Sequence, residues 1–261
     1  MVLRKGCRGD EVKRLQRLLG IADDGIFGND TEKAVRAFQV KNNLVPDGIV
    51  GAKTWEALEG NKSDELNIID GHINTHITFS LNRPIKYIAI HYTAGSTSKR
   101  GTALATRNVF LTRSASADFV VDDEQIVRIN PDLKNYYCWA VGDTKNPYTG
   151  GAKLHGKATN KNTISIEICS NLMHGTTAAV PNHSGWYFTD ASLENATKLV
   201  RYLMATYNIP KENVVRHYDI TGKLCPGVPN WTAARMYDTK GKLINQYGNE
   251  SEWLKFKLRI V

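Results

Sequence analysis

The eleven residues HYDITGKLCPG, His217 to Gly227, gather an imidazole, a carboxylate, an ammonium and a thiol in one short stretch. A second histidine, His91 in IAIHYTAGS, follows a β-branched run and opens a polar, glycine-containing loop, as His217 does in VVRHYDITGK. Two imidazoles and a thiolate with a fourth position left open make the donor set of a catalytic zinc site. Singly, each residue has a plainer reading. The chain has seven histidines, and a lone cysteine is most often a buried, inert side chain. Cys7, Cys138, Cys169 and Cys225 make no CxxC pair. With no leader expected ahead of MVLRKGCRGDEVKRLQRLLG, which lacks an apolar core and a cleavage site, a disulfide framework is not expected either.

Two further groups suit hydrolytic chemistry. Glu167 is the one acid in NTISIEIC, where Ile164, Ile166 and Ile168 alternate with Ser165, Glu167 and Cys169. It reads either as an edge-strand carboxylate facing solvent or as a general base. Lys223 lies two residues before Cys225 and reads either as a solvated loop lysine or as a cation for a developing oxyanion. Asp219, two residues after His217 on what reads as extended backbone, points to the opposite face and is expected to support rather than ligate.

These residues need a scaffold, and strand and helix patterns alternate around them. KYIAIHYT, NTISIEIC and NVVRHYDI read as strands, and ADFVVDDEQIVRI as a hairpin turning at Asp122–Gln125. DASLENATKLVRYLMATYNIP reads as a long amphipathic helix with Leu193, Ala196, Val200, Leu203 and Tyr207 on one face, stopped by Pro210. The expected class is α/β, a central mixed β-sheet flanked by helices. Functional groups at the ends of adjacent strands are where such sheets build sites.

The first 59 residues differ in character. DDGIFGNDTEKAV is echoed by PDGIVGAKTWEAL after a shift of 23 residues. The glycines suit tight loops that lead into helices, and Asn29 with Glu32 resembles a capping box. Val12, Leu15, Leu18 and Leu19 fall on one helical face ended by Gly20. A small three-helix bundle enclosing Leu15, Leu18, Phe38, Trp55 and Leu58, with no catalytic set, is expected to bind rather than react. The expected division is 1–59 for this bundle, 60–66 for a polar linker, 67–236 for the α/β domain, and 237–261 for a C-terminal extension of unknown role. In that extension a short helix is expected around Trp253 and Phe256.

The net charge is +8, and residues 1–59 hold ten Lys/Arg against nine Asp/Glu, so nearly all the excess lies beyond them. That balance favours a polyanionic partner: nucleic acid, an anionic membrane, or a bacterial wall. No basic run interleaved with aromatics and no zinc-finger or RRM signature occurs, which argues against nucleic acid. No apolar run reaches the roughly 20 residues of a membrane span.

IHYTAG upstream of HYDITGKLCPG resembles the zinc-dependent N-acetylmuramoyl-L-alanine amidases, relatives in fold of the peptidoglycan recognition proteins, over about Asn67 to Trp231. The repeat-bearing first 59 residues resemble the peptidoglycan-binding three-helix domain of wall hydrolases. These resemblances imply a zinc cofactor on His91, His217 and Cys225, with catalysis by Glu167, as in IGIEI-type strands, and by Lys223 of the Lys-x-Cys-Pro position. They imply a peptidoglycan hydrolase that cuts between N-acetylmuramic acid and L-alanine with zinc-activated water. The partner is bacterial peptidoglycan, not nucleic acid, with no membrane insertion. An endolysin made in the cytoplasm and released at lysis fits best. A non-catalytic wall receptor and a cytosolic muropeptide-recycling amidase are the alternatives, weakened by the retained cysteine and by the anchor module respectively. Relatives that lack the glutamate carry a tyrosine near the position of Ala117, and many carry Trp-His-Ala-Gly where this chain reads CWAVGD. That histidine's role is absent here or passes to another residue such as His155, and Trp139 is either a sugar platform or core.

Overall fold

The computed structural model describes residues 2–42, 44–60, 66–94, 102–176, 180–237, 240 and 242–260. The chain forms two compact units, Met1–Glu65 and Leu66–Val261. Most of the expected linker at 60–66 and the loop after Ala94 lie outside the described residues.

The first unit holds three helices, α1 (Asp10–Leu19), α2 (Asn29–Lys41) and α3 (Ala52–Gly60). Val12, Leu15, Val35, Trp55 and Leu58 bury their side chains together, and Leu18 and Phe38 pack at the margin. Gly20 ends α1 with φ 68°. The capping box expected from Asn29 and Glu32 does not form. Extended Gly28 starts α2 without a side-chain cap, which places Asn29 inside the first turn, and Glu32 accepts from Arg36 Nη2 at 2.9 Å.

What fixes the repeat is a buried glutamine in the helix before each loop. Gln16 Nε2 donates to Asp24 Oδ1 at 2.7 Å and Thr31 Oγ1 at 3.0 Å, while Gln16 Oε1 accepts Gly25 N at 2.8 Å. Gln39 makes the same three bonds to Asp47, Thr54 and Gly48 at 2.8, 3.2 and 2.9 Å. Each amide is thus satisfied in the interior by one loop and the helix after it. The carboxyls of Asp24 and Asp47 sit below their usual range, first through the backbone N–H of Ile26 or Ile49 and then through the glutamine.

The second unit runs β1 (Ile68–Asp70), β2 (Ile77–Phe79), β3 (Tyr87–Tyr92), α4 (Ala103–Val109), β4 (Phe119–Val121), β5 (Ile126–Arg128), β6 (Tyr136–Cys138) and β7 (Thr163–Ile168). It continues with β8 (Asn171–Leu172), β9 (Trp186–Tyr187), α5 (Asp190–Tyr207), β10 (Val214–Arg216), α6 (His217–Thr221), β11 (Ala234–Tyr237), β12 (Leu243–Tyr247) and α7 (Ser251–Arg259). Six strands form a mixed sheet in the order β1-β5-β4-β7-β3-β10. All its ladders are parallel except the β4–β5 hairpin. The remaining strands pair as antiparallel ribbons, β2 with β6, β8 with β9, and β11 with β12.

Strand alternation sorts the sheet into two faces. Ile88, Ile90, Ile164, Ile166 and Ile168 pack with Leu199, Val200 and Leu203 of α5. Burying each of those helix side chains contributes about 1.5–3 kcal/mol. Thr189 caps the start of α5 by accepting Ser192 N at 3.1 Å, and Asn208 ends it at φ 51°, two residues before Pro210. Trp253, Phe256 and Ile260 join this same core, so α7 and the residue after it are built into the fold. The opposite face carries His91 and Glu167. Among the described residues no helix is long and apolar enough to cross a membrane.

Candidate metal centre

His91 sits near the end of β3, between the neighbouring strands β7 and β10. Arg216 is the last residue of β10 and pairs with Ile90, so the next residue, His217, arrives beside His91. Here the structure corrects the extended reading of HYDI: His217 opens the short helix α6. The cause is Asp219, whose Oδ2 accepts Arg216 N at 2.8 Å and closes the first turn. Asp219 therefore faces away from the metal candidates because the chain is helical there. The helix ends at Gly222 with φ 82°, and the chain doubles back so that Cys225 O accepts Tyr218 N at 3.0 Å.

The three donors converge. His217 Nδ1 lies 3.1 Å from His91 Nδ1, Cys225 Sγ lies 3.8 Å from His91 Nδ1, and all three donor atoms fall within 4.8 Å of one another. Nitrogen and sulfur ligands at about 2.0–2.3 Å from a tetrahedral ion stand roughly 3.3–3.6 Å apart, so the donor set fits such an ion. His217 Nε2 donates to Val141 O at 2.9 Å, which leaves Nδ1 as the lone-pair nitrogen. All four cysteines are free thiols.

Glu167 is the register partner of His91. Its strand is central rather than at an edge, and its Oε2 is buried without a hydrogen-bond partner. A cavity of about 280 Å³ is lined by His91, Glu167, Cys225, Lys223, Arg113 and Trp139. A second, about 550 Å³, shares Trp139, Pro181, His217 and Lys223 with it and extends along Gly142–Thr144 and Asn146. Lys223 is exposed and lies where the two meet. Arg113, in the loop after α4, and Pro181 were not singled out by sequence; neither has a local signature, and only the fold brings them here. Trp139 is 43% exposed rather than core, with its Nε1 held by Thr78 Oγ1 at 2.9 Å. His155 lines neither cavity; its Nε2 contacts Asp143 O at 2.9 Å on the surface. Ala117 is buried in an apolar cluster beside Val120 and Phe110.

Burial dominates the electrostatics. It lowers His217 to about 4, with Lys223 adding to the shift and the Val141 carbonyl opposing it. It lowers His91 well below the ordinary imidazole value, helped by His217 and then Lys223. It raises the Cys225 thiol, with Glu167 adding to the effect and Lys223 opposing. It raises Glu167 to about 8 against the pull of Lys223 and Arg113. At neutral pH both imidazoles are therefore unprotonated and free to ligate. The thiol and carboxyl hold their protons until more positive charge enters the cavity.

The chain is similar to known proteins. Residues 8–58 match a family model of a peptidoglycan binding domain. N-acetylmuramoyl-L-alanine amidase CwlL of Bacillus licheniformis is 25% identical over 178 residues, 64% of this chain and 43% of its own length. The chain thus spans less than half of that curated relative. Among solved structures, a mutant endolysin from Bacillus subtilis is 26% identical with a TM-score of 0.51, covering 75% of this chain and 99% of that one. The catalytic domain of XlyA is 26% identical with a TM-score of 0.50, covering 75% of this chain and 100% of that one. The family model for N-acetylmuramoyl-L-alanine amidase matches residues 81–228; that is more than half of the chain and takes in all three donors and Glu167, and the chain belongs to the N-acetylmuramoyl-L-alanine amidase family.

Proposed function

We propose that the Leu66–Val261 unit hydrolyses the amide between N-acetylmuramic acid and L-alanine in bacterial peptidoglycan, with zinc held by His91, His217 and Cys225. The Met1–Glu65 unit keeps the enzyme on the wall, in the manner of an endolysin. The observation that carries this reading is the convergence of two imidazole nitrogens and a thiol within 4.8 Å, in one cavity with a buried carboxyl. Membership of the amidase family and the likeness to endolysin structures support it.

When bound, zinc supplies Lewis acidity, brings a water's pKa to about 7, and adds the positive charge that ionises Glu167. Glu167 takes the proton of the attacking water at Oε2 and passes it to the departing alanine nitrogen. Lys223, where the two cavities meet, places its ammonium toward the carbonyl oxygen as negative charge develops there. His217 stays neutral and oriented through its bond to Val141 O. Trp139 walls both cavities and offers a flat apolar face to a sugar ring.

The test is digestion of purified peptidoglycan followed by identification of the new ends. Free L-alanine amines, lost when the metal is chelated and restored by zinc, are the expected product. New reducing sugars in their place would refute the assignment.

A further inference from the structure

Arg216 stands immediately before the metal-ligand candidate His217 and is only 5% exposed. A buried guanidinium must find partners for all its donors. Asp219 takes one side of the fork, accepting Nε at 3.0 Å and Nη2 at 2.7 Å in addition to the backbone N–H of Arg216. The other side reaches the C-terminal part of the chain: Nη1 donates to Trp231 O at 2.6 Å and to Glu250 Oε1 at 2.8 Å. The rings of Tyr218 and Trp253 lie 5.3 and 5.2 Å from the guanidinium carbon. Glu250 directly precedes α7, and α7 is anchored independently through Trp253 and Phe256 in the main core.

Both donors contributed by the 217–225 segment hang on this arrangement. His217 is the first residue of the helix whose opening turn Arg216 and Asp219 close. Cys225 is tied back to the same turn by Tyr218 N. The partner that the short segment cannot provide for itself comes from Glu250, beyond the residues 81–228 that match the family model.

We propose that Glu250 is a positioning residue for the metal centre: by gripping Arg216 it holds α6, and with it His217 and Cys225, in the geometry that binds zinc. Rigid support of this kind sets metal affinity, because ligands left to wander must be reordered on binding. The Arg216–Asp219 pair alone leaves one end of the fork on a backbone carbonyl, without a charge to hold it. The proposal rests on the zinc reading given above, and its test separates the two.

Zinc dissociation constants are measured on the full chain by competition with a chromophoric chelator, at a temperature where every metal-free variant is folded. Glu250→Ala is expected to weaken zinc binding about tenfold and Glu250→Gln by a smaller factor. Glu252→Gln, two residues on in the first turn of α7 and bonded instead to Lys255, leaves binding unchanged. In metal-free protein, the Nε2–H of His217 on Val141 O should exchange with solvent faster in Glu250→Ala than in the parent, as read by histidine-selective NMR. Zinc affinity within twofold of the parent in both Glu250 variants overturns the proposal. If the parent takes no zinc, the zinc reading fails instead, and the clamp stands or falls on His217 exchange: faster exchange upholds it, unchanged exchange overturns it.

Discussion

His91 and Glu167 are register partners across the β3–β7 ladder, so a metal-ligand candidate and the carboxyl beside it are carried by adjacent strands at the centre of the sheet. Their relative position is set by backbone hydrogen bonds and does not depend on loop conformation.

Glu167, which moves a proton, and Cys225, which holds the metal, act differently, so substituting each separates two readouts. Glu167→Gln keeps the side-chain shape and the three donors but cannot accept a proton, so turnover of a soluble muropeptide should fall at least about 100-fold. Zinc content should stay near one per chain. Cys225→Ser replaces a thiolate by a hydroxyl that does not ionise at neutral pH, so zinc content should fall toward zero. Full zinc and full activity in Cys225→Ser would remove the cysteine from the site.

Metal uptake should release protons, from Glu167 as the ion's charge ionises it and from Cys225. Its thiol is raised by burial first, whereas His217 is lowered to about 4 and His91 lies well below its ordinary value. Near pH 7 both imidazoles are already neutral, while the thiol and Glu167, the latter raised to about 8, must each lose a proton. Zinc affinity should then rise by more than about tenfold per pH unit between pH 6 and 8, approaching about a hundredfold at the lower end where Glu167 is fully protonated, and fall still more steeply once pH drops toward 4 and His217 protonates. Titration calorimetry in buffers of different ionisation enthalpy counts the protons. A release near zero at pH 7 would mean that the thiol and Glu167 are both already ionised in the metal-free protein.

Gly222 turns the chain from α6 toward Lys223 and Cys225 at φ 82°. A Cβ there would overlap Asn146 O and stand 2.7 Å from Thr149 Oγ1. Gly222→Ala combines a left-handed backbone with a clash against main chain and should cost about 2 kcal/mol or more. A shift of the denaturant midpoint measures this, and an unchanged midpoint would show that the 146–149 loop gives way.

Removing residues 1–65 should separate attachment from chemistry. A tethered binding site raises the local concentration of the enzyme on an insoluble substrate, and that gain is lost with the tether. Retention on insoluble wall in a pull-down should drop, while cleavage of small soluble muropeptides persists. Loss of soluble activity in a truncation that keeps its far-UV spectrum would place part of the chemistry in the first unit.

Local patterns made much of this protein legible. The alternation of Ile164, Ile166 and Ile168 identified a strand with two distinct faces, and the period of Leu193 to Tyr207 identified α5. Residue types marked His91, His217 and Cys225 as donors, but their approach to within 4.8 Å is a product of strand order, which no local signal carries. The helix at His217–Thr221 was illegible for a similar reason: HYDIT continues a β-rich run, and only the reach of Asp219 back to Arg216 bends it. Gln16 and Gln39 look like solvent-facing polar positions of amphipathic helices. Their burial becomes apparent only when the loops fold over them.

The glutamine clamps of the first unit give its length a grain. Each loop is measured against the helix before it, from Gln16 to Thr31 and from Gln39 to Thr54, and the two copies lie one period of 23 residues apart. A single residue inserted between Gln16 and Asp24, or between Gln39 and Asp47, moves the loop carboxyl off its amide and strands a buried donor. A whole inserted period brings its own glutamine, aspartate and threonine. Across the clamped spans, a change of length that keeps every amide satisfied comes as a complete repeat.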